Sequence, residues 1–277
     1  MGIDGTTKIV GIFGAPVAHT ASPAMHNAAF AALGLNWLYL PFHVEPSHLR
    51  AALDGIRCLG LAGVNLTVPH KVLALAMLDD VDDEVRRIGA VNTVSIADGR
   101  LRGHNTDAAG FSTAIQEEFG LSLRGTRVLI LGAGGAARAI AVRCAGEGAA
   151  AIWIANRTPA NAESIVRAVG DRAHVASLRS LPEADLVVNA TSVGLHEGDS
   201  LGLPAKFFSA RHCVFDTIYR PAETELLRTA RQAGARVANG TGMLLHQGAR
   251  AFEIWTGEKA PLSVMRDALQ AAIEGNA

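Results

Sequence analysis

One stretch of the chain, RVLILGAGGAARAIAVRCAGEGAAAIWIANRT, constrains the fold more than any other. An apolar strand runs into Gly132 and Gly134, and Ala137 completes the spacing G-x-G-x-x-A. A helix-forming, alanine-rich segment follows, and a second apolar strand closes a βαβ unit of about 30 residues. Small residues there let the backbone and a helix N-terminus approach a pyrophosphate. The stretch predicts a dinucleotide-binding α/β domain and disfavours the alternative of a tight turn without a ligand.

The end of the second strand indicates which dinucleotide binds. Proteins that read NAD place Asp or Glu there for the ribose 2′-hydroxyl. This chain has Asn156, Arg157 and Thr158 instead. A guanidinium binds a 2′-phosphate bidentately, whereas a carboxylate would repel it. The residues favour NADP, with a solvated surface role for Arg157 as the alternative.

Short apolar runs alternate with amphipathic stretches along the whole chain, which predicts an α/β protein with mostly parallel sheets. The first series ends in a hairpin with its turn at Asp98-Gly99, and a second series of six strands begins at residue 127. Two helices after residue 240 need a partner for their apolar faces. We therefore expect a domain of residues 1–112 plus 241–277, completed by these C-terminal helices, and an inserted dinucleotide-binding domain of residues 113–240.

Composition excludes several classes of protein. Net charge is −1 and 18% of the 277 residues are charged, so nothing points to nucleic acid or an anionic membrane. No apolar run is long enough for a membrane span, and the N-terminus lacks a signal-peptide pattern. Three scattered cysteines indicate reduced thiols in the cytoplasm, and the histidines show no metal-ligand spacing, so no metal is expected.

Three predicted helix starts in the first domain carry polar side chains. Ser22, before Pro23, is expected to cap its helix, and Asp107 could cap another. Lys71 follows Pro69 in a first turn, where the helix dipole disfavours a cation. That local cost without local gain indicates a functional group. A dehydrogenase acting on an alcohol needs such an acid or base for the proton, while the cofactor takes the hydride.

The ordered set of motifs resembles the shikimate dehydrogenase family, which includes shikimate/quinate dehydrogenases. It covers nearly the whole chain: GIFGAPVAHTASPAMHN, GVNLTVPHK, GAVNT, NTDAAGF, LGAGGAARA, NRT, NATSVGL, DTIYRPAETELL and GMLLHQGARAFEIWTG. The resemblance implies a substrate domain and a Rossmann-type NADP domain with a mainly parallel six-stranded sheet. It also implies reversible NADP-dependent reduction of 3-dehydroshikimate to shikimate, on the route to chorismate and the aromatic amino acids, by a monomer or homodimer.

The resemblance also assigns site residues. Lys71 would be the catalytic acid/base, with Asp107 as its partner. The substrate would be bound by Thr20, Ser22, Thr67, Asn92, Asp107, Tyr219 and Gln247. The cofactor would be bound by Gly132, Ala133, Gly134, Gly135, Ala136, Asn156, Arg157, Thr158, Ile218, Gly240 and Met243, with Asp83 as a weaker assignment.

Three positions depart from the family pattern. Thr20 stands where Ser is usual, His70 replaces a Phe beside Lys71, and Asn161 replaces a later Arg of the NADP motif. Thr20 and Asn161 keep open a catabolic quinate/shikimate dehydrogenase with relaxed use of NAD and NADP. A sensor that binds shikimate without turnover is a further, less favoured alternative, because Lys71 and Asp107 are both present.

Overall fold

The computed structural model of the chain describes residues 2–275, and its elements alternate as the sequence predicts. The strands are β1 (Lys8–Gly14), β2 (Trp37–His43), β3 (Gly63–Leu66), β4 (Asp80–Val81), β5 (Thr93–Ala97), β6 (Arg100–His104), β7 (Arg127–Leu131), β8 (Ala151–Ala155), β9 (Ala173–Ala176), β10 (Leu186–Asn189), β11 (Cys213–Asp216) and β12 (Arg236–Ala238). The α-helices are α1 (Ser22–Ala32), α2 (Leu49–Leu59), α3 (His70–Leu73), α4 (Asp83–Ile88), α5 (Asp107–Phe119), α6 (Gly135–Gly146), α7 (Pro159–Val169), α8 (Glu225–Gln232), α9 (Thr241–Thr256) and α10 (Leu262–Glu274).

The chain forms two compact units. The first unit contains the residues up to Thr106 and those from Leu244 onward, and the second is Asp107–Met243. Each unit holds one six-stranded sheet. The predicted α/β class with two domains is therefore confirmed, while the predicted domain limits, 1–112 with 241–277 and 113–240, stay a prediction.

The first unit has the strand order β2-β1-β3-β5-β6-β4. β1 lies parallel to both β2 and β3, whereas β5 is antiparallel to β3 and β6. β5 and β6 form the predicted hairpin, and both residues of its turn, Asp98 and Gly99, have positive φ (52° and 72°), as a two-residue hairpin turn requires. The carboxyl ends of β1 and β3 lead into the segments that hold three of the predicted substrate residues, Thr20, Ser22 and Thr67.

The C-terminal helices complete the first unit, as predicted. α10 packs against α1, and the indole Nε1 of Trp255 on α9 donates to the carbonyl oxygen of Val94 on β5 at 3.0 Å. Gly63 permits this approach, because a Cβ there would collide with both the indole nitrogen and that carbonyl. The imidazole of His26 stacks on Tyr39 nearby, with ring centroids 4.4 Å apart.

The second unit has the strand order β12-β11-β10-β7-β8-β9, and every pair in it is parallel. This order matches the doubly wound sheet of dinucleotide-binding domains, in which β7 and β10 flank the point where the order reverses. Fully buried apolar side chains line β7 and β10, which explains their continuous apolar runs. The glycine loop follows β7, at the carboxyl edge where ligands bind in such sheets.

Local details differ from the expectations in two places. Ser22 does not cap α1: Ala21 occupies the N-cap and Ser22 is the first helical residue, because Pro23 then fits within the first turn. The predicted helix from Pro69 is a single α-turn, α3, continued as a 3₁₀ segment, Ala74–Met77. Lys71 is nevertheless the second residue of α3, as the first-turn prediction requires.

Candidate functional site

Asn92 is the centre of a buried hydrogen-bond network in the first unit. Its Nδ2 donates to Thr106 Oγ1 at 2.8 Å and to Gln247 Oε1 at 3.2 Å. Its Oδ1 accepts from the Thr106 amide at 2.7 Å and from Thr93 Oγ1 at 3.2 Å. Asn92 is 2% exposed and Gln247 is 9% exposed. The network thus brings together two predicted substrate residues that are 155 positions apart in sequence.

A second layer of the network fixes the backbone around Asn92. Asn65 Nδ2 donates to the Asn92 carbonyl at 3.2 Å and to Thr93 Oγ1 at 3.0 Å. Its Oδ1 accepts from the Tyr39 hydroxyl at 2.8 Å. Our sequence assignments missed Asn65, Thr93 and Thr106, although Asn65 lies in GVNLTVPHK and Thr106 in NTDAAGF. A polar residue inside a buried four-residue strand was the signal that could have identified Asn65.

Lys71 is held close to Asn92 by the main chain. The amide of Val91 donates to the Lys71 carbonyl at 2.8 Å, and Val91 directly precedes Asn92. The Lys71 side chain is half-buried. Its neighbour His70 is fully buried and its Nε2 lies 2.7 Å from the Val44 carbonyl, so His70 packs into the unit. Thr67 is placed by its amide, which donates to the Phe13 carbonyl at 3.0 Å, on the β3 side of the same edge.

Thr20 and Ser22 form a pair of hydroxyls at the start of α1. Thr20 Oγ1 donates to Ser22 Oγ at 3.2 Å and accepts from the Ser22 amide at 3.3 Å. Ser22 is 2% exposed, while Thr20 is half-buried. Two adjacent hydroxyls beside the first turn of an 11-residue helix can hold a carboxylate group.

The remaining predicted residues are distributed between the units. Asp107 is the first residue of α5 in the second unit and is 3% exposed. Tyr219 is half-buried and follows β11. Met243 is 6% exposed within the core of the second unit. Asp83 belongs to the first unit, where its side chain is 93% exposed and pairs with Arg86 at 3.9 Å.

The loop after β11 is fixed by the buried carboxylate of Asp216. Asp216 Oδ1 accepts from the Ile218 amide and from Asn189 Nδ2, each at 3.0 Å, and Oδ2 accepts from Thr224 Oγ1 at 2.8 Å. Burial raises the pKa of Asp216, and these hydrogen bonds partly oppose that effect. Gly240 packs against the same loop: its amide donates to the Ile218 carbonyl at 3.0 Å, and a Cβ would overlap the Thr217 carbonyl.

The glycine loop has the geometry that a pyrophosphate needs. Gly132 has φ of +109°, and a Cβ there would lie 2.8 Å from the Ala190 carbonyl oxygen. Gly134 is exposed, and a Cβ there would meet no atom within 4 Å, so its backbone borders open space. Gly134 is also the N-cap of α6; no side chain caps the helix and its first turn holds no acidic residue. The first-turn N–H groups, including those of Gly135 and Ala136, are therefore available to an anion.

A cavity of about 450 Å³ opens beside this loop in the second unit. Four of the residues that line it, Gly132, Asn156, Arg157 and Thr158, were predicted to bind the cofactor. Asn156 Nδ2 donates to the Thr158 carbonyl at 2.9 Å, which fixes the turn that presents Arg157. Our assignments missed further polar residues of the lining, namely Thr191, Ser192 and Ser200. No carboxylate lines the cavity, so a 2′-phosphate fits it electrostatically.

The part of the chain that the structure describes offers no group of three or more His, Cys, Asp or Glu side chains placed to hold a metal ion. Within the same residues, no helix is long and apolar enough to cross a membrane. The three cysteines are free thiols, with Cys58 exposed and the other two buried.

Three protein-family models match the chain, one after another along the sequence. Residues 12–94 match the shikimate dehydrogenase substrate binding domain, residues 113–196 match shikimate / quinate 5-dehydrogenase, and residues 240–270 match the shikimate 5′-dehydrogenase C-terminal domain.

Similar proteins match over nearly their full length. A shikimate dehydrogenase (NADP(+)) of Symbiobacterium thermophilum is 48% identical, over 98% of this chain and 96% of the relative. A shikimate dehydrogenase solved in complex with NADP+ is 40% identical with a TM-score of 0.92, over 98% of both chains. The Thermus thermophilus enzyme in complex with NADP(H) and shikimate is 43% identical with a TM-score of 0.88, over 96% of this chain and 99% of that one.

Proposed function

Since this chain belongs to the shikimate dehydrogenase family, we propose that it catalyses the reversible NADP-dependent reduction of 3-dehydroshikimate to shikimate. This is an oxidoreductase reaction on a CH–OH group, within chorismate and aromatic amino acid biosynthesis. The observation that carries the proposal is the joint presence of two sites in one chain. A polar network around Asn92 suits a polyhydroxy acid, and a glycine loop with an acid-free cavity suits NADP.

NADPH, when bound, supplies the hydride. The residues of the chain bind the acid and move the proton. We assign proton transfer at the reacting oxygen to Lys71, with Asp107 as the group that orients its amine. The hydroxyls of Thr20 and Ser22 are assigned to the substrate carboxylate, supported by their contact at 3.2 Å. Thr67, Asn92, Tyr219 and Gln247 are assigned to the hydroxyl groups and the closing of the substrate site.

The cofactor assignments follow from the second unit. Residues 132–136 are assigned to the pyrophosphate, and Asn156, Arg157 and Thr158 to the adenosine end. Ile218, Gly240 and Met243 are assigned to the nicotinamide side, supported by the ordered loop that Asp216 holds. Asp83 remains the weaker assignment to the cofactor side.

A lysine variant tests the acid/base role. Lys71→Met keeps the length and apolar stem of the side chain but removes the amine. We expect kcat to fall by roughly 10²–10⁴, as for the loss of a general acid/base, while the affinity for NADP+ and the melting temperature stay unchanged. Lys259→Met, at an exposed position of the first unit, is the matched control. A Lys71→Met enzyme with nearly the wild-type kcat would remove Lys71 from the proposal.

A quinate/shikimate dehydrogenase of a catabolic branch is the second candidate, and Thr20 supports it. The extra methyl group of Thr20 reshapes the hydroxyl pair that we assign to the substrate carboxylate. Thr20→Ser should shift the ratio of kcat/KM for shikimate over quinate if this methyl group sets the preference. An unchanged ratio would leave Thr20 without a role in substrate choice.

Cytoplasmic location and a monomeric or homodimeric state complete the proposal. The three free thiols support a reducing compartment. Light scattering of the purified enzyme gives the oligomeric state directly, and a larger assembly would contradict that part.

A further inference from the structure

Arg138, on the first turn of α6, is a cation without an anionic partner among the described residues. Its Nη2 donates to Ser164 Oγ on α7 at 2.6 Å. Its Nε is buried and has no hydrogen-bond partner within residues 2–275. No carboxylate of that range lies within ion-pair distance of the guanidinium. Burial alone lowers the pKa of Arg138.

Three arginines close to Arg138 in sequence have carboxylate partners. Arg127 pairs with Asp185 at 2.7 Å, Arg143 with Glu147 at 2.5 Å, and Arg167 with Glu163 at 3.7 Å. Removing a cation from water without a counter-ion costs free energy, so proteins keep such groups where an anion binds. Arg138 therefore differs from these three arginines, and a bound anion would supply the counter-ion that it lacks.

Hydrogen bonds connect Arg138 to the wall of the cavity beside the glycine loop. Ser164 Oγ, which accepts from Arg138, donates to the Asn161 carbonyl at 2.7 Å. The Asn161 amide in turn donates to the Thr158 carbonyl at 3.1 Å. Asn161 and Thr158 both line the cavity. Arg138 is thus two hydrogen bonds from Asn161 and three from Thr158, which is assigned to the adenosine end of the cofactor.

The cavity lining carries less positive charge than a phosphate monoester carries negative charge. Of the residues that line it, only Arg157 is a cation. A phosphate monoester carries a charge of about −1.5 to −2 near neutral pH. One exposed guanidinium neutralises roughly half of that charge, and a half-buried guanidinium nearby is screened less by solvent.

We propose that Arg138 is a positioning residue for the cofactor that provides part of the preference for NADP over NAD. It fixes the Ser164–Asn161–Thr158 turn, and its unpaired charge adds to that of Arg157 at the 2′-phosphate end of the cavity. This inference rests on the proposed use of NADP. It requires no direct contact between Arg138 and the phosphate.

Binding measurements on three Arg138 variants test the inference without turnover. Calorimetry gives the Kd of NADP+ and of NAD+ for the wild-type enzyme, Arg138→Gln, Arg138→Met and Arg138→Lys. Gln keeps an N–H donor but is neutral, Met has neither property, and Lys keeps the charge. We expect the Kd for NADP+ to rise about five- to tenfold in the Gln and Met variants, since one charge is lost from a partly desolvated site. We expect the Kd for NAD+ to stay within about twofold, because NAD lacks the 2′-phosphate.

Two further comparisons separate charge from a merely structural role. Arg138→Lys should keep the ratio of the two Kd values near that of the wild type. The Arg138→Gln penalty on NADP+ should shrink at high salt, because screening weakens a charge effect but not a packing effect. Arg167→Gln is the matched control, since Arg167 lies on α7 and is paired with Glu163, and it should change neither Kd.

The outcomes also distinguish this inference from the proposed function. A wild-type enzyme without preference for NADP+ over NAD+ would contradict the proposed use of NADP. A wild-type preference that survives in Arg138→Gln and Arg138→Met would overturn the role of Arg138 alone. An equal loss of NADP+ and NAD+ affinity in these variants would overturn it as well, by making Arg138 a structural residue.

Discussion

Two glycines of the same loop should respond in opposite ways to an added methyl group. Gly132 has φ of +109°, and its new Cβ would lie 2.8 Å from the Ala190 carbonyl oxygen and 2.9 Å from Thr191 Cγ2. Gly134 has φ of −81° and ψ of −171°, which alanine adopts readily, and its Cβ would meet no atom within 4 Å. The first substitution therefore perturbs the fold and the second perturbs only what approaches the loop from outside.

The magnitudes follow from these geometries. For Gly132→Ala, positive φ costs about 1–2 kcal/mol and overpacking against backbone costs about 1–3 kcal/mol. The sum lowers the melting temperature by on the order of 10 °C for a chain of this size. For Gly134→Ala, the smaller entropy of the unfolded chain stabilises the folded state by about 0.4–1 kcal/mol. Replacing glycine by alanine at an N-cap destabilises it by about as much, so the two effects nearly cancel. The apo protein should therefore melt within about 2 °C of the wild type.

Unlike the stability of the apo protein, cofactor binding should be strongly affected by the Gly134 substitution. A methyl group between the loop backbone and the pyrophosphate should weaken NADPH binding about 100-fold, through lost contacts with the first turn of α6. At a ligand concentration of about 100 times the wild-type Kd, the stabilisation would fall from about 2.7 to about 0.4 kcal/mol. Thermal unfolding with and without NADPH measures both quantities in one experiment.

Either of two results would refute this reasoning. If Gly134→Ala destabilised the apo protein as much as Gly132→Ala, the open space beside Gly134 would not exist in solution. If Gly134→Ala bound NADPH as the wild type does, the pyrophosphate would not lie against this loop.

Three further predictions concern the first unit. His26 is fully buried, and burial lowers its pKa to about 3. Below pH 6.5 the folded state therefore binds fewer protons than the unfolded state. The free energy of unfolding then decreases as the pH falls from 6.5 toward 3. Between pH 6.5 and 5 the protein should lose roughly 2 kcal/mol of unfolding free energy through this group. His26→Leu should remove that part of the pH dependence, as measured by urea unfolding. An unchanged dependence of the unfolding free energy on pH would contradict the prediction. Asn65→Leu deletes the donors to Asn92 and Thr93, so the unfolding free energy should fall by about 1–3 kcal/mol. The KM for shikimate should rise by a larger factor than kcat falls. A KM equal to that of the wild type would show that Asn65 does not position Asn92. Gly63→Ala should break the Trp255–Val94 hydrogen bond and lower the unfolding free energy by about 2–4 kcal/mol. Gly55→Ala, in α2 with open space around the new Cβ, should instead raise it by about 0.5–1 kcal/mol. Equal effects of the two substitutions would contradict the packing described for Gly63.

The elements that could be predicted from sequence are those whose pattern is local. β1 and β2 coincide with apolar runs of the sequence that are bounded by charged and turn-forming residues. The six strands of the second unit follow from the same pattern. The sequence did not indicate α4, because DEVRRI contains only two buried residues, Val85 and Ile88, and its stability comes from the Asp82 cap and from packing.

The candidate site was only partly predictable for a related reason. Lys71 stood out because its position in a first turn is locally unfavourable. The partners of Asn92 did not, because Gln247 reaches it only through the fold. Thr106 and Thr93 are ordinary threonines in sequence, and their role follows from the distances to Asn92. Ser22 was wrongly expected to cap α1, since the choice between Ala21 and Ser22 depends on where Pro23 sits in the first turn.

The most direct measurement is a four-way initial-rate assay with shikimate and quinate, each with NADP+ and NAD+, following the appearance of reduced cofactor. We expect fast turnover with shikimate and NADP+, and much lower kcat/KM for the other three combinations. No turnover with shikimate and NADP+ would contradict the proposed shikimate dehydrogenase activity, and higher efficiency with quinate or NAD+ would assign the enzyme to the catabolic alternative.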